Sequence, residues 1–330
     1  MLLKNIEEIK KHINFTGTTK FDTITSFINS AERDFIIPAI GQEQYGALDT
    51  GYNKTLPDLN ANQLKLLAKV QAALTHLFFY YWIPSGQLKI SDNGIRIANT
   101  ADLKTAFQWQ IDALQRKVLN DGGSAMDALF LFLVANRTGY PLWTASSSFT
   151  EFKQYFIGTA VEFTQLYSPM GNSRTVFVAV RNSMLKAQEF EITDAIGSEY
   201  YDELKTQYSG DNMTEKNKIV FGFVRKALAQ FTMKRAITEL SISIDERGIL
   251  NFDNSRSGDI GSRTPAKNEH VSKMEMACDR DGNAYIQKMK QYLAININDY
   301  PTYANGTAYD GTTTDETYKN NPEANNYFFG

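Results

Sequence analysis

Ala39-Ile40-Gly41-Gln42-Glu43-Gln44-Tyr45-Gly46-Ala47-Leu48 and Ala195-Ile196-Gly197-Ser198-Glu199-Tyr200-Tyr201-Asp202-Glu203-Leu204 are two versions of one stretch, 156 residues apart, with Ala, Ile, Gly, Glu, Tyr and Leu coinciding. Ala31 and Ala187 extend the match upstream at the same spacing. Downstream, Ala73-Leu74 answers Ala227-Leu228, and Ile90-Ser91-Asp92-Asn93-Gly94-Ile95 answers Ile244-Asp245-Glu246-Arg247-Gly248-Ile249, now 154 residues apart. Upstream, Ile6-Glu7-Glu8-Ile9-Lys10 is similar to Phe149-Thr150-Glu151-Phe152-Lys153, 143 residues on, which puts 13 extra residues of the second copy within or near 157–174. Similar blocks in the same order, separated by small length changes, read as one duplicated domain. The copies span 1–144 and 145–298, and a tail follows over 299–330. Two copies are too few for a solenoid.

Within each copy the periodicity is mainly helical. Ile24, Phe27, Ile28, Ala31, Phe35, Ile36 and Ala39 form the i, i+3, i+4 stripe of an amphipathic helix, as do Val176, Val180, Met184, Ala187 and Ala195 in the second copy. Both helices end at Ile-Gly, where glycine can close a helix. A second, more apolar helix follows over 61–82 and 214–240. Leu64, Leu67, Val70, Leu74, Leu77 and Phe78 line one of its faces, and Phe79, Tyr80, Tyr81 and Trp82 continue round the other. A helix apolar all round is buried on more than one side, so Phe79, Tyr81 and Trp82 are candidate contacts with the other copy or another subunit. Apolar–polar alternation around Asn93-Gly94 and Arg247-Gly248 predicts a β-hairpin in each copy. A third helical region, 101–120, is followed by a break at Asp121-Gly122-Gly123-Ser124 and a further helix over 125–134. The second copy has its break at Asp279-Arg280-Asp281-Gly282-Asn283, ahead of 284–294. The predicted fold is mainly α: two tandem helical domains of about four helices plus a hairpin each, with an extended C-terminal tail.

Composition excludes several classes. The 330 residues are 42% hydrophobic and 22% charged, a globular balance. The formal charge is −3, so no overall basic excess points to nucleic acid. Cys278 stands alone, and His12, His76 and His270 have no suitably spaced partner. The longest apolar run, 128–135, is far short of the roughly 20 residues that span a membrane. The expectation is a soluble protein of a reducing compartment with no metal, cofactor or catalytic residues. Asp279-x-Asp281-Gly282-Asn283 has a faint likeness to a calcium loop, but Lys290 stands where the closing glutamate belongs; a turn with a helix N-cap fits better. His76 reads as a core histidine hydrogen-bonded to a neighbour.

The tail, 299–330, has no Leu, Ile, Val or Met, and carries six Thr, five Asn and seven aromatics: Tyr300, Tyr303, Tyr309, Tyr318, Tyr327, Phe328 and Phe329. Five acids against Lys319 give it a charge of −4, leaving the body at +1. Such a segment buries too little surface to order alone, and its aromatics suit anchoring on another surface. The Gly/Ser-rich stretch 254–267 adds Arg256, Arg263 and Lys267, which with Arg247 just upstream make a basic set able to contact phosphates or an acidic neighbour.

The opening Ile6–Lys10 segment, the long amphipathic helix ending near Ala-Ile-Gly, the second long helix and the hairpin together resemble the head–tail connector (adaptor) proteins of tailed bacteriophages. The double-length form with a Tyr/Asn-rich tail looks like structural proteins of phages infecting Bacteroidetes. The resemblance covers 1–298 and is one of pattern and order. It implies no catalysis. It implies a homo-oligomeric ring in the virion neck, commonly of twelve subunits, made in the host cytoplasm. Its neighbours would be the portal protein and a tail or neck protein, with DNA passing transiently and non-specifically through the channel, and no membrane involved. The Phe79, Tyr81 and Trp82 cluster and the tail aromatics would then serve subunit or portal contacts. Two alternatives stand beside it: an enzyme or small-molecule binder with a site between the repeats, and another virion component such as a tail-completion or minor capsid protein.

Overall fold

The computed structural model describes residues 1–14, 20–86, 88–91, 94–97, 106–239, 242–245, 248–251, 268–309 and 311. Among these, 1–181 form one unit and the residues from 182 onward form a second.

In unit 1, α1 (Ile6–Lys10) starts at Asn5, whose side chain accepts a hydrogen bond from the Glu8 N–H. Leu2, Leu3 and Ile9 are fully buried beside it. The amphipathic stripe forms α2 (Thr25–Ala31), a π turn over Glu32–Ile36, and α3 (Ile37–Ile40). Gly41 then reverses the chain at φ +80°, a conformation only glycine adopts cheaply, and starts α4 (Gln42–Tyr52). The two long helices follow, α5 (Ala61–Gly86) and, after the strands β1 (Leu88–Ser91) and β2 (Gly94–Ile97), α6 (Gln108–Ala135). The strands pair antiparallel from Leu88 with Ile97 to Ser91 with Gly94. Gly139 lies against Asn62, Gly122 against Leu77, and Gln115 donates to the Tyr80 carbonyl, so α5 and α6 run antiparallel. Their facing residues, including Leu66, Val70, Leu74, Phe78, Met126, Leu129 and Leu133, make the centre of the core. By length and composition α6 is apolar enough to cross a membrane; its inner face is the one packed on α5. Four shorter elements complete the unit's path: α7 (Pro141–Thr144), α8 (Ser147–Gln154), α9 (Ala160–Leu166) and the start of α10 (Arg174–Ala187).

Unit 2 repeats the order. The end of α10 passes through a π turn, Gln188–Ile192, into α11 (Thr193–Ile196), Gly197 at φ +80° and α12 (Ser198–Ser209). Then come α13 (Glu215–Glu239), the paired strands β3 (Ile242–Asp245) and β4 (Gly248–Asn251), α14 (Asn268–Ile295) and α15 (Pro301–Ala304). The repetition reaches single hydrogen bonds. Tyr140 donates to the Asn62 carbonyl at 2.9 Å, and Tyr300 donates to the Lys216 carbonyl at 3.1 Å. A Cβ added at Gly122 would meet Leu77 at 3.0 Å, and one at Gly282 would meet the Phe231 ring at 2.6 Å.

Four expectations need correction. The breaks at 121–124 and 279–283 do not exist: α6 and α14 run straight through them. Gly122 and Gly282 sit where Leu77 of α5 and Phe231 of α13 come close, and Gly123 sits against Arg174 of α10. Asp279 and Asp281 are therefore mid-helix, paired with Lys234 and Arg280, and belong to neither a turn nor an N-cap. The tail does not start at 299. A short 3-10 turn, Ile297–Asp299, and α15 fold onto α12, and Tyr300 and Tyr303 are each 3% exposed. They pack edge-on against Tyr200, so they are core residues of unit 2 rather than docking residues. On the long helix, Leu64 is 53% exposed and Leu66 takes its place in the core. Finally, α8 does not repeat α1. Ile9 is buried in the core that α5 centres, whereas α8 lies against α3 and α7.

The glycine crossing can be tested in unit 2. Gly282→Ala should cost about 1–3 kcal/mol, the scale of overpacking. Gly222→Ala, on the same helix pair but with nothing within 4 Å of an added Cβ, should gain about 0.5–1 kcal/mol from helix propensity. Urea unfolding of the two variants would show the opposite signs.

Candidate functional site

Unit 1 holds a cavity of about 360 Å³. The end of α2 and its π turn contribute Asp34 and Phe35, α6 contributes Met126 and Phe130, and α8 contributes Ser148, Glu151 and Phe152; α10 closes it with Arg174, Thr175, Phe177, Val178 and Arg181. Phe130 and Phe152 stack with centroids 5.2 Å apart. Arg174 lies 4.7 Å from the Phe130 ring and Arg181 4.2 Å from the Tyr155 ring, both as cation–π contacts.

Behind the wall, Asp127 is 1% exposed and accepts from Arg174 Nη1 at 2.5 Å and from the Ala160 N–H at 2.9 Å. Burial pushes the Asp127 carboxyl up, and the Arg174 charge opposes it. This pair ties α6 to the start of α9 and to α10, and so fixes the cavity's floor. At the rim Arg181 pairs with Glu151 at 2.9 Å. Asp34 is held below its ordinary value by its hydrogen bond to Arg33, with the Tyr81 hydroxyl helping. Among the described residues that line this cavity the charged groups are held in ion pairs and hydrogen bonds with one another.

The π turn carries a second polar cluster. Glu32, 3% exposed, accepts from the Leu2 N–H at 2.6 Å and from the Tyr45 hydroxyl at 2.8 Å. Burial raises its carboxyl above the ordinary 4.5. In unit 2 the same place holds Gln188, whose amide donates to the Tyr201 hydroxyl at 3.3 Å.

The residues expected to make contacts fall into separate places. Phe79 stacks on Trp82 at 5.2 Å, and Tyr81 meets Phe35 and donates to Asp34 at 2.9 Å, so all three are half-buried on unit 1's own surface. Tyr309 rests on Tyr303. Tyr318, Tyr327, Phe328, Phe329, Arg247, Arg256, Arg263 and Lys267 lie outside the described residues. The Nδ1 of His76 is buried with no hydrogen-bond partner among the described residues, against the expectation of one. Among the described residues no three His, Cys, Asp or Glu side chains are grouped to hold a metal.

Two features escaped the sequence reading. Phe107, Trp109 and Leu114, at 69, 54 and 44% exposure, form an exposed apolar start to α6. The signal was present: Trp109 falls off the buried stripe that Val118, Gly122 and Met126 define. The Asp127–Arg174 pair joins residues 47 apart with no local pattern to betray it.

Removing a buried partner costs more than removing an exposed one. Asp127→Ala should lower stability by about 3–5 kcal/mol, because Arg174 is left buried and unpaired. Glu151→Ala, whose side chain is 58% exposed, should cost at most about 1 kcal/mol. Glu32 has a folded-state pKa above its unfolded value, so its contribution to stability is full below pH 4.5 and is lost as pH rises through the raised value. Glu32→Gln, the residue type of the second copy, should flatten that part of a melting-temperature profile against pH.

No curated protein and no solved structure matches the chain. One family's pattern does, twice, over residues 36–153 and 192–313. The matched stretches run from the π turn through the long helix pair to the segment just beyond α7 and α15. The second match thus takes in Tyr300 and Tyr303, as the packing does. With both matches covering well over half of its length, the chain belongs to DUF6712, a family of unknown function, and carries its domain in tandem.

Proposed function

We propose that this protein is a non-enzymatic structural component that assembles with itself into a ring, in the manner of a phage head–tail connector joining portal to tail around the DNA channel. The observation that carries the reading is the apolar start of α6. Phe107, Trp109 and Leu114 stand exposed at the end of the helix pair where α5 carries Tyr80, Tyr81 and Trp82. Exposed apolar patches of this kind mark interaction sites. The second copy has Glu269 and Met274 where the first has Trp109 and Leu114. If this end meets the unlike surface of the next chain's second copy the contact is heterologous, the kind that closes into a ring when the rotation permits. In this reading the strand pairs are hairpins closed at Asn93-Gly94 and Arg247-Gly248, and the basic stretch near Arg256 faces DNA or an acidic neighbour.

The cavity of unit 1 favours the small-molecule reading as a second possibility; its charged groups are already engaged with one another, which weakens it. Trp109→Glu separates the two. It should leave the helical circular-dichroism signal intact and weaken self-association by about 2–4 kcal/mol, the scale of an aromatic hot spot, read as a shift to smaller species in sedimentation velocity. A wild-type chain that sediments as a monomer at all concentrations would refute the ring.

A further inference from the structure

The cavity in unit 1 is balanced in charge and rich in donors. Arg174 and Arg181 stand seven residues apart on α10, two turns along one face. Each makes one hydrogen bond to a carboxylate, that of Asp127 or Glu151, and lies against a ring. Their other guanidinium N–H groups find no acceptor among the described residues. The hydroxyls of Ser148 and Thr175 line the same space, also without a partner there. Asp34, the remaining charge on the wall, is engaged by Arg33 at 2.7 Å and by Tyr81. A site whose charges cancel gains little from an ionic ligand. It calls for uncharged acceptors attached to flat apolar groups, because Phe35, Phe130, Phe152, Tyr155 and Phe177 supply rings to pack on. At about 360 Å³ it is within the size range of sites that enclose such groups.

We infer that this cavity receives the stretch Asn325-Asn326-Tyr327-Phe328-Phe329 from a second copy of the chain. The stretch is uncharged, and its asparagine and main-chain carbonyls are acceptors that match the spare guanidinium and hydroxyl donors. Its three successive aromatics match the ring-lined wall, and it has no aliphatic side chain to compete for a core of its own. Each copy gives one stretch and receives one, a heterologous contact of the kind that closes a ring. The inference rests on the self-assembly reading above.

The test mixes two full-length variants, purified separately, under mild oxidation, and oxidises beside them a third that carries both substitutions in one chain. One carries Val178→Cys, at a cavity-lining position that is 47% exposed; the other carries Tyr327→Cys. Leu56→Cys, 82% exposed and away from the cavity, replaces Val178→Cys in the control, and Thr175→Cys is a second lining position should Val178→Cys fold poorly. The native Cys278 is buried and stays in place. The inference expects Val178–Tyr327 disulfide dimers at roughly tenfold the control yield, reflecting the local concentration of a docked segment. Yield equal to the control while sedimentation still shows assembly overturns the inference and leaves the ring reading standing. A disulfide that forms only within single chains carrying both substitutions overturns it as well, because the stretch is then not shared between copies. A chain that neither cross-links nor assembles overturns both.

Discussion

Both units depend on a close crossing of two long helices made possible by a glycine. A Cβ at Gly282 would meet the Phe231 ring at 2.6 Å, and one at Gly122 would press on the Leu77 side chain at 3.0 Å. A glycine inside a helix costs about 1 kcal/mol relative to alanine, and that cost is offset by bringing two apolar faces into contact along their length. Once α5 and α6, or α13 and α14, are clamped, the residues beyond them have fixed places. Tyr140 and Tyr300 reach back to the first turn of the opposite helix, and Trp143 and Tyr303 fill the space under α3 and α12. The π turn and the positive-φ glycine after it bring α4 and α12 over the same core.

The copies share this frame and differ on the outer side of the second long helix. Leu119, Gly123, Asp127 and Phe130 of α6 correspond to Asp279, Asn283, Gln287 and Lys290 of α14. The first set builds a cavity floor and a buried ion pair. The second set suits water. The scaffold is thus common to both copies, while among the described residues the first copy's face is the one on which α9 and the start of α10 settle. The same divergence separates Trp109 from Glu269 at the apolar end. Function, on this account, lies where the copies stopped being alike.

Much of the frame was legible in the residues. The offsets of 156 and 154 located the helix-closing glycines and the apolar faces, because those depend on local spacing; the π turns inside the predicted helices left no such mark. The continuous run of α6 was hidden because Gly122-Gly123 looks like a break until a neighbouring helix explains it. The true end of the second copy was in view as Asn136-Arg137-Thr138-Gly139-Tyr140-Pro141-Leu142-Trp143 against Asn296-Ile297-Asn298-Asp299-Tyr300-Pro301-Thr302-Tyr303. The scarcity of aliphatic residues there suggested a tail, yet aromatics alone fill that corner of the core. The cavity could not be read at all, since its walls come from segments more than a hundred residues apart.

The central functional claim is that one chain carries two unlike faces that meet in closed assemblies. Electron microscopy of the purified full-length protein tests this most directly. The account predicts closed rings of one rotational symmetry, in which Phe107, Trp109 and Leu114 of each subunit are covered by its neighbour. Single chains as the only species, with those three side chains open to solvent, would contradict it.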